Sequence, residues 1–274
     1  MSTRAVLFDL DDTLLADDAA TQAALRATAA LAATRRQRES LGAPLGAGLD
    51  AGLDAEALAR AAWRHARDSW ERSPHRDYFE TFGISAGECL WGRFIGEDPR
   101  LRPIARWAIT YQLETWRQAL ADFELRDDLL AATLAERFRM EKRARHDWLF
   151  ADALPTLDRL HGAYALALIT NGAPDIQRDK LARCGVEPYF PVVAVSVEAG
   201  VAKPDPAIFA QTLDALEVSP AEAVMVGDSP ARDILGANRA GVRAIWIRRA
   251  GQPLTSGALP DATITTLDDL AALL

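Results

Sequence analysis

Cysteine is scarce in this sequence: two residues in 274, Cys89 and Cys184, far apart. They form neither a disulfide framework nor a metal-binding cluster, so the expected compartment is the reducing cytoplasm. Long apolar runs are missing too, which excludes a membrane-spanning helix. The first strand-like run begins near Arg4, which leaves no space for a signal peptide. A basic surplus is absent. The net charge is −8, the wrong sign for general nucleic-acid binding. The four histidines, His65, His75, His146 and His161, show no metal-ligand spacing.

What is present is a globular composition, 49% hydrophobic and 26% charged. The acidic surplus is uneven. Residues 56–150 balance 16 basic against 16 acidic side chains, and the rest of the chain holds 15 against 23. The two ends also read differently from the middle. Short apolar runs recur at Ala5–Leu10, Tyr164–Thr170, Pro191–Ser196, Ala223–Gly227 and Arg243–Ile247. None alternates cleanly with polar residues, as expected of strands buried on both faces. Helical segments separate the later ones. Pro174–Cys184 precedes a capping Gly185, Asp205-Pro206 and Ser219-Pro220-Ala221-Glu222 are helix starts, and Ala231–Ala240 precedes Gly241. This alternation predicts a doubly wound parallel α/β sheet.

The middle, residues 16–150, reads as helical. Ile109, Leu113, Trp116 and Leu120 share one predicted helix face, and Leu130, Leu134 and Phe138 another. A helix start is expected near Asp54 and another at Ser85-Ala86-Gly87-Glu88, and the Gly-rich Gly42–Gly52 reads as a loop. Trp63, Trp70, Trp107 and Trp116 read as core, with a pocket as the alternative. The basic run Arg137–Arg145 reads as a solvated face, with guidance of an anionic substrate as the alternative. The expected organisation is a core made of 1–15 and 151–274, with an all-helical domain, 16–150, inserted after the first strand.

Ligands of open parallel sheets bind at the carboxyl ends of the strands. Asp9-Leu10-Asp11-Asp12-Thr13 follows the first strand, Thr170-Asn171-Gly172 the second, Lys203-Pro204-Asp205-Pro206 comes after the third, and Gly227-Asp228-Ser229-Pro230-Ala231-Arg232-Asp233 follows the fourth. Carboxylates, a hydroxyl and a lysine thus converge on one edge. Hard oxygen ligands suit Mg²⁺, and a cation and hydroxyl suit phosphoryl oxygens. Asp12 reads as a turn residue. Asp17 and Asp18 read as the N-cap of the first inserted helix.

These four elements, in this order, resemble the motifs of the haloacid dehalogenase superfamily of phosphohydrolases. Phe8-Asp9-Leu10-Asp11-Asp12-Thr13-Leu14 looks like its DxDx[TV] motif. The inserted helices are similar to the helical cap that some members carry at this point. The resemblance implies that Asp9 is the nucleophile, giving an aspartyl-phosphate, and that Asp11 protonates the leaving group and then activates water. It implies Mg²⁺ on Asp9, the Asp11 carbonyl, Asp228 and Asp233. Lys203 would neutralise Asp9 and the phosphate, and Thr170 with the Asn171 amide would hold phosphate oxygens.

Within that family the reaction stays to be chosen. Dehalogenases lack Mg²⁺ and carry an aromatic residue where Asp11 stands. Phosphonate hydrolases need a cap lysine, and Lys142, the one lysine of 16–150, lies in the basic run. The expectation is a Mg²⁺-dependent phosphatase of a small phosphate monoester, in the nucleotide or sugar phosphate class. The alternatives are a sugar-phosphate mutase, a 2-haloacid dehalogenase, or a non-catalytic metabolite-binding protein. The oligomeric state, monomer or homodimer, is left open.

Overall fold

The computed structural model describes residues 2–41, 53–145, 148–249, 253–254 and 257–274. The predicted Gly42–Gly52 loop, and His146 of the four histidines, lie outside the described residues. Strand β1 (Ala5–Phe8) comes first. Helices α1 (Asp17–Leu41), α2 (Ala55–Glu71), α3 (Arg76–Phe82), α4 (Ala86–Cys89), α5 (Leu101–Ala121) and α6 (Asp128–Arg143) follow. The α/β alternation then resumes with α7 (Ala153–Leu160), β2 (Ala165–Thr170), α8 (Pro174–Cys184), β3 (Val192–Val195), α9 (Ser196–Ala199), α10 (Pro206–Leu216), β4 (Ala223–Gly227), α11 (Leu235–Ala240), β5 (Arg243–Ile247) and β6 (Ala262–Ile264).

All six strands pair in parallel, in the order β3-β2-β1-β4-β5-β6. The chain steps outward from β1 through β2 to β3 and returns to β4 on the other side of β1. The crevice between β1 and β4 is therefore the topological switch point, where such sheets take ligands. Phe8 sits opposite both Leu168 and Val226, so the residues just past β1, β2 and β4 emerge level with one another.

Both faces of the sheet are buried. Val6, Phe8, Leu166, Leu168, Val224 and Val226 pack on one side with α7 and α8, and Ala5, Leu7, Ala167, Ile169, Ala223 and Met225 on the other with α10 and α11. Successive residues of one strand thus serve opposite cores, which is why the strands read as unbroken apolar runs. A third core joins α1, α2, α5 and α6, where α1 lies against α2 and α6, and α5 against the same two. Ala173, Ile176, Val197 and Ala202 belong to this third core, so the helical layer sits on the carboxyl edge of the sheet. Among the described residues, no helix is long and apolar enough to cross a membrane.

Local signals explain most boundaries. Asp54 caps α2 by accepting from the Glu56 and Ala57 amides, and Ser85 with Glu88 forms a reciprocal box at α4. Three expectations are corrected. Ile109 is 69% exposed although Trp116 and Leu120 of the same expected face are buried, because towards its start α5 buries Ile104, Ala108 and Tyr111 instead. The Ser219–Glu222 box forms but heads a single 3-10 turn, since β4 begins at Ala223. The segment expected as a helix from Ala231 opens as a π turn over Pro230–Ile234 before α11. Strand β6, three residues long, was too short to register as an apolar run. Of the tryptophans, Trp116 is fully buried and Trp63, Trp70 and Trp107 lie half-buried on the helical core.

Candidate active site

Asp9 leaves the sheet one residue after β1, and its amide still donates to the Val226 carbonyl at 3.0 Å. Its carboxylate is buried beside Lys203. Lys203 Nζ donates to Asp9 Oδ1 at 2.6 Å and to the Ile169 carbonyl at 2.6 Å, and it lies 2.7 Å from Asp233 Oδ1. Asp228 follows β4 directly, and its amide donates to the Thr13 hydroxyl at 3.0 Å. Asp233 sits in the π turn and accepts from the Ser229 amide at 2.9 Å. Gly227 has no side chain for a reason: a Cβ there would strike the Asp233 carboxylate.

The structure thus brings Asp9, Lys203, Asp228 and Asp233 together. One carboxylate oxygen from each of Asp9, Asp228 and Asp233 falls within 4.8 Å of the others. Three hard, crowded oxygens suit a small divalent cation. Their electrostatics agree. Burial, and then the neighbouring Asp9 and Asp233, push Asp228 up to about 9. Burial raises Asp9 to about 6 even though Lys203 pulls it down. Burial lowers Lys203, but Asp233 and Asp9 more than reverse this, so it stays charged.

Thr170 ends β2 and lines the same cavity with Asn171. The Asn171 side chain clamps the Lys203 backbone from both sides, donating to its carbonyl at 2.9 Å and accepting from its amide at 3.0 Å. Asn171 therefore also serves to seat the lysine, a task its place in the sequence did not reveal.

Asp11 lies in the cavity too, but its partners differ. Lys180 Nζ donates to Asp11 Oδ1 at 2.9 Å and Oδ2 at 2.8 Å, and Gln177 Nε2 donates to Oδ2 at 3.2 Å. Lys180 also lies 3.2 Å from Asp17 Oδ1 and 3.3 Å from Glu88 Oε1. Gln177 donates to Glu88 Oε1 at 2.7 Å and accepts from the Thr170 hydroxyl at 3.1 Å. Burial raises Asp11 to about 6 against the pull of Lys180.

The expected cap role of Asp17 is corrected here. Asp12, with φ of 59°, turns its carboxylate to accept from the Asp18 amide at 3.1 Å and so secures the first turn of α1. Asp17 is instead buried, 2.7 Å from Lys142 Nζ. Lys142 has no exposed surface and also donates to the Asp17 carbonyl, so it is not presented to the cavity. The other cations of the basic run pair with acids, Arg143 with Asp179 and Arg137 and Arg145 with Glu141.

Sequence reading missed Lys180, Gln177, Glu88 and Arg232. The first two occupy the buried face of α8 beside Ile176, Leu181 and Cys184, where apolar residues are the norm. Arg232 lines the cavity opposite the α3–α4 loop. Gly83 in that loop has φ of 73°, and a Cβ on it would collide with the Arg232 guanidinium. Glycine is thus required there for both conformation and space. Among the described residues the guanidinium takes no ion pair or hydrogen bond.

Known proteins share this architecture. The haloacid dehalogenase-like hydrolase family profile matches residues 3–241. A phosphoserine phosphatase of Thermus thermophilus is 37% identical over 265 residues, 97% of this chain and 96% of the relative. Among solved structures, the HAD-hydrolase YfnB of Bacillus subtilis superposes with a TM-score of 0.63 at 21% identity, covering 100% of this chain and 99% of its own. A 2-haloacid dehalogenase of Pseudomonas syringae gives 0.56 at 26% identity, with 99% and 97% covered. With the profile spanning most of the chain and a relative matched along nearly its whole length, the chain belongs to the haloacid dehalogenase-like hydrolases.

Proposed function

We propose that this hydrolase of phosphate monoesters acts on a small phosphorylated acid, with O-phosphoserine the first substrate to test, and that it works with Mg²⁺. The observation that carries the reading is Asp9 held against Lys203 with Asp228 and Asp233 beside it. Asp9, the Asp11 carbonyl, Asp228 and Asp233 would hold the ion. Bound there, Mg²⁺ supplies positive charge that offsets repulsion between a carboxylate nucleophile and a phosphate dianion.

The residues divide the work. Lys203 keeps Asp9 ionised and fixed, and its charge also faces the phosphoryl oxygens. Thr170 and the Asn171 amide bind those oxygens. An Asp9 oxygen attacks phosphorus while the bond to the leaving oxygen breaks, and Asp11 gives that oxygen its proton. Asp11, now a carboxylate, takes a proton from water as the water oxygen attacks phosphorus. Inorganic phosphate leaves and Asp9 is restored.

Substrate preference follows from Arg232 and from size. The cavity holds about 160 Å³, room for a small molecule rather than a polymer. A guanidinium at its wall that takes no ion pair or hydrogen bond among the described residues suits a carboxylate on the substrate. The neighbouring Asp18 suits an ammonium. The phosphoserine phosphatase relative, matched along nearly its whole length, supports the same choice. Residues 16–150 serve as the cap over a core of 1–15 and 151–274, and the two unpaired, buried cysteines suit a cytoplasmic enzyme.

The test is phosphate release from O-phosphoserine and from p-nitrophenyl phosphate, with and without Mg²⁺. An Arg–carboxylate bond contributes about 1.5–3 kcal/mol. Arg232→Ala should therefore raise the KM for O-phosphoserine by roughly 10–100-fold and leave that for p-nitrophenyl phosphate nearly unchanged. Equal effects on the two esters would refute the carboxylate contact. Metal-independent turnover would refute the mechanism.

A further inference from the structure

The chain contains three lysines, Lys142, Lys180 and Lys203, and all three are buried against carboxylates. Lys203 belongs to the reaction centre, and Lys142 anchors Asp17. Lys180 has no exposed surface and does not line the cavity, yet its ammonium reaches both oxygens of Asp11. Gln177, three residues earlier on the same face of α8, adds a third bond to Asp11 and a fourth to Glu88 of the helical layer.

We propose that Lys180, supported by Gln177 and Glu88, is a positioning residue that sets the place of the Asp11 carboxyl for transfer of its proton to the leaving oxygen. The inference rests on the reading of Asp11 as proton carrier. A carboxylate on a short side chain that lines a cavity has two torsions to fix. Two donor groups on one helix, making three hydrogen bonds, fix both. Glu88 holds the other side of Lys180 and Gln177 from α4, so the helical layer completes the seat. Proton transfer requires hydrogen-bond reach, and misplacement by about 1 Å costs on the order of 10²-fold.

A lysine serving only as a buried counter-ion would behave differently on one measurable point. An alkoxide leaving group needs a proton as its bond to phosphorus breaks. p-Nitrophenolate is a weak base and leaves without one. kcat/KM covers the steps up to formation of the aspartyl-phosphate, so it isolates this proton transfer from the later attack of water.

The experiment compares kcat/KM of the wild type, Lys180→Met and the double variant Lys180→Met/Glu88→Gln on two esters. One is p-nitrophenyl phosphate. The other is O-phosphoserine, or the alkyl monoester that the wild type turns over fastest. The double variant removes one carboxylate along with the lysine, so the pocket remains foldable if the single variant does not. Loss of roughly 10²-fold or more on the alkyl ester, against less than about 10-fold on the aryl ester, is the expected result. Equal losses in a folded variant would overturn the positioning role and leave the phosphatase reading intact. A wild type inert toward both esters would overturn that reading and this inference with it.

Discussion

Asp9 and Asp11 are two residues apart, and each meets a buried lysine, but the two seats are built differently. The Asp9 seat comes from the sheet edge alone: Lys203, Asp233, the Ile169 carbonyl and the Asn171 clamp on Lys203. The Asp11 seat mixes layers, with Lys180 and Gln177 from α8 and Asp17 and Glu88 from the inserted helices. In the proposed mechanism the first seat holds the group that bonds to phosphorus, and the second the group that moves protons. The nucleophile is thus independent of the helical layer, while the proton carrier depends on how that layer is seated.

The largest effect that separates the seats is on chemistry. Asp9→Asn should reduce turnover on both alkyl and aryl phosphates by roughly 10⁴-fold or more, since no other group can take its bond to phosphorus. Steady-state phosphate release measures it. Appreciable activity in this variant would mean that the sheet-edge seat does not hold the nucleophile. Its fold should survive, because the amide keeps a polar partner for Lys203.

The second effect is on stability, and it belongs to the mixed seat. Burial alone would raise Asp17, but Lys180 and Lys142 pull it well below the usual carboxylate range. A folded pKa below the unfolded one means that the ionised pair adds stability above about pH 4, and that this stability drains away as pH falls further. Asp17→Asn should cost roughly 3–5 kcal/mol at neutral pH, the usual consequence of stripping a buried pair of one partner. Denaturant curves recorded between pH 7 and pH 3 should show the gap between wild type and variant constant down to about pH 4 and narrowing below it. Parallel curves would show that Asp17 contributes nothing through its charge.

Mg²⁺ bound as proposed should give a smaller effect, read at the sheet-edge carboxylates. A ligand that binds only the folded chain stabilises it by mass action, so Mg²⁺ held by Asp9, Asp228 and Asp233, at a hundredfold excess over its Kd, should add about 2.7 kcal/mol. A thermal melt with and without Mg²⁺ reads this directly. Asp228→Asn should remove most of the shift while Asp17→Asn leaves it in place. A shift that persists in Asp228→Asn would locate the ion elsewhere.

The two seats also differ in how far the sequence disclosed them. Asp9 and Asp228 stand just past apolar runs that read as buried strands, Lys203 and Asp233 follow a few residues further on, and their order matches a known motif set. The Asp11 seat was not legible, because its partners come from positions 17, 88, 177 and 180, in segments that meet only through tertiary packing. A signal did exist. Leu130, Leu134 and Phe138 define a buried stripe whose next step is Lys142, and Ile176, Leu181 and Cys184 define another that includes Gln177 and Lys180. A lysine on an apolar stripe must meet a carboxylate. The sequence pattern could have announced that such partners exist, though not which ones. The exposure of Ile109 has the same origin, since Tyr111 turns inward and its hydroxyl lies 3.0 Å from the Ala66 and Ala86 carbonyls.

The smallest effect tests whether the acids around Lys180 are equivalent. Glu88 and Asp17 both face this lysine, yet their ionisation is biased in opposite directions. Asp17 has two lysines and is held low, whereas burial raises Glu88, with Lys180 opposing and Asp11 adding to the rise. The charge of Glu88 is therefore poorly supported, and a neutral isostere gives up little. Glutamine keeps one oxygen, enough for the Ser85 amide in the box that starts α4, and gives up only the acceptor that the Gln177 amide uses. Glu88→Gln should change stability by about 1 kcal/mol or less, several times less than Asp17→Asn, in the same denaturant series. A loss as large as that of Asp17→Asn would mean that Lys180 needs all three carboxylates, and that the mixed seat is one indivisible ionic cluster rather than a strong pair with a weaker third partner.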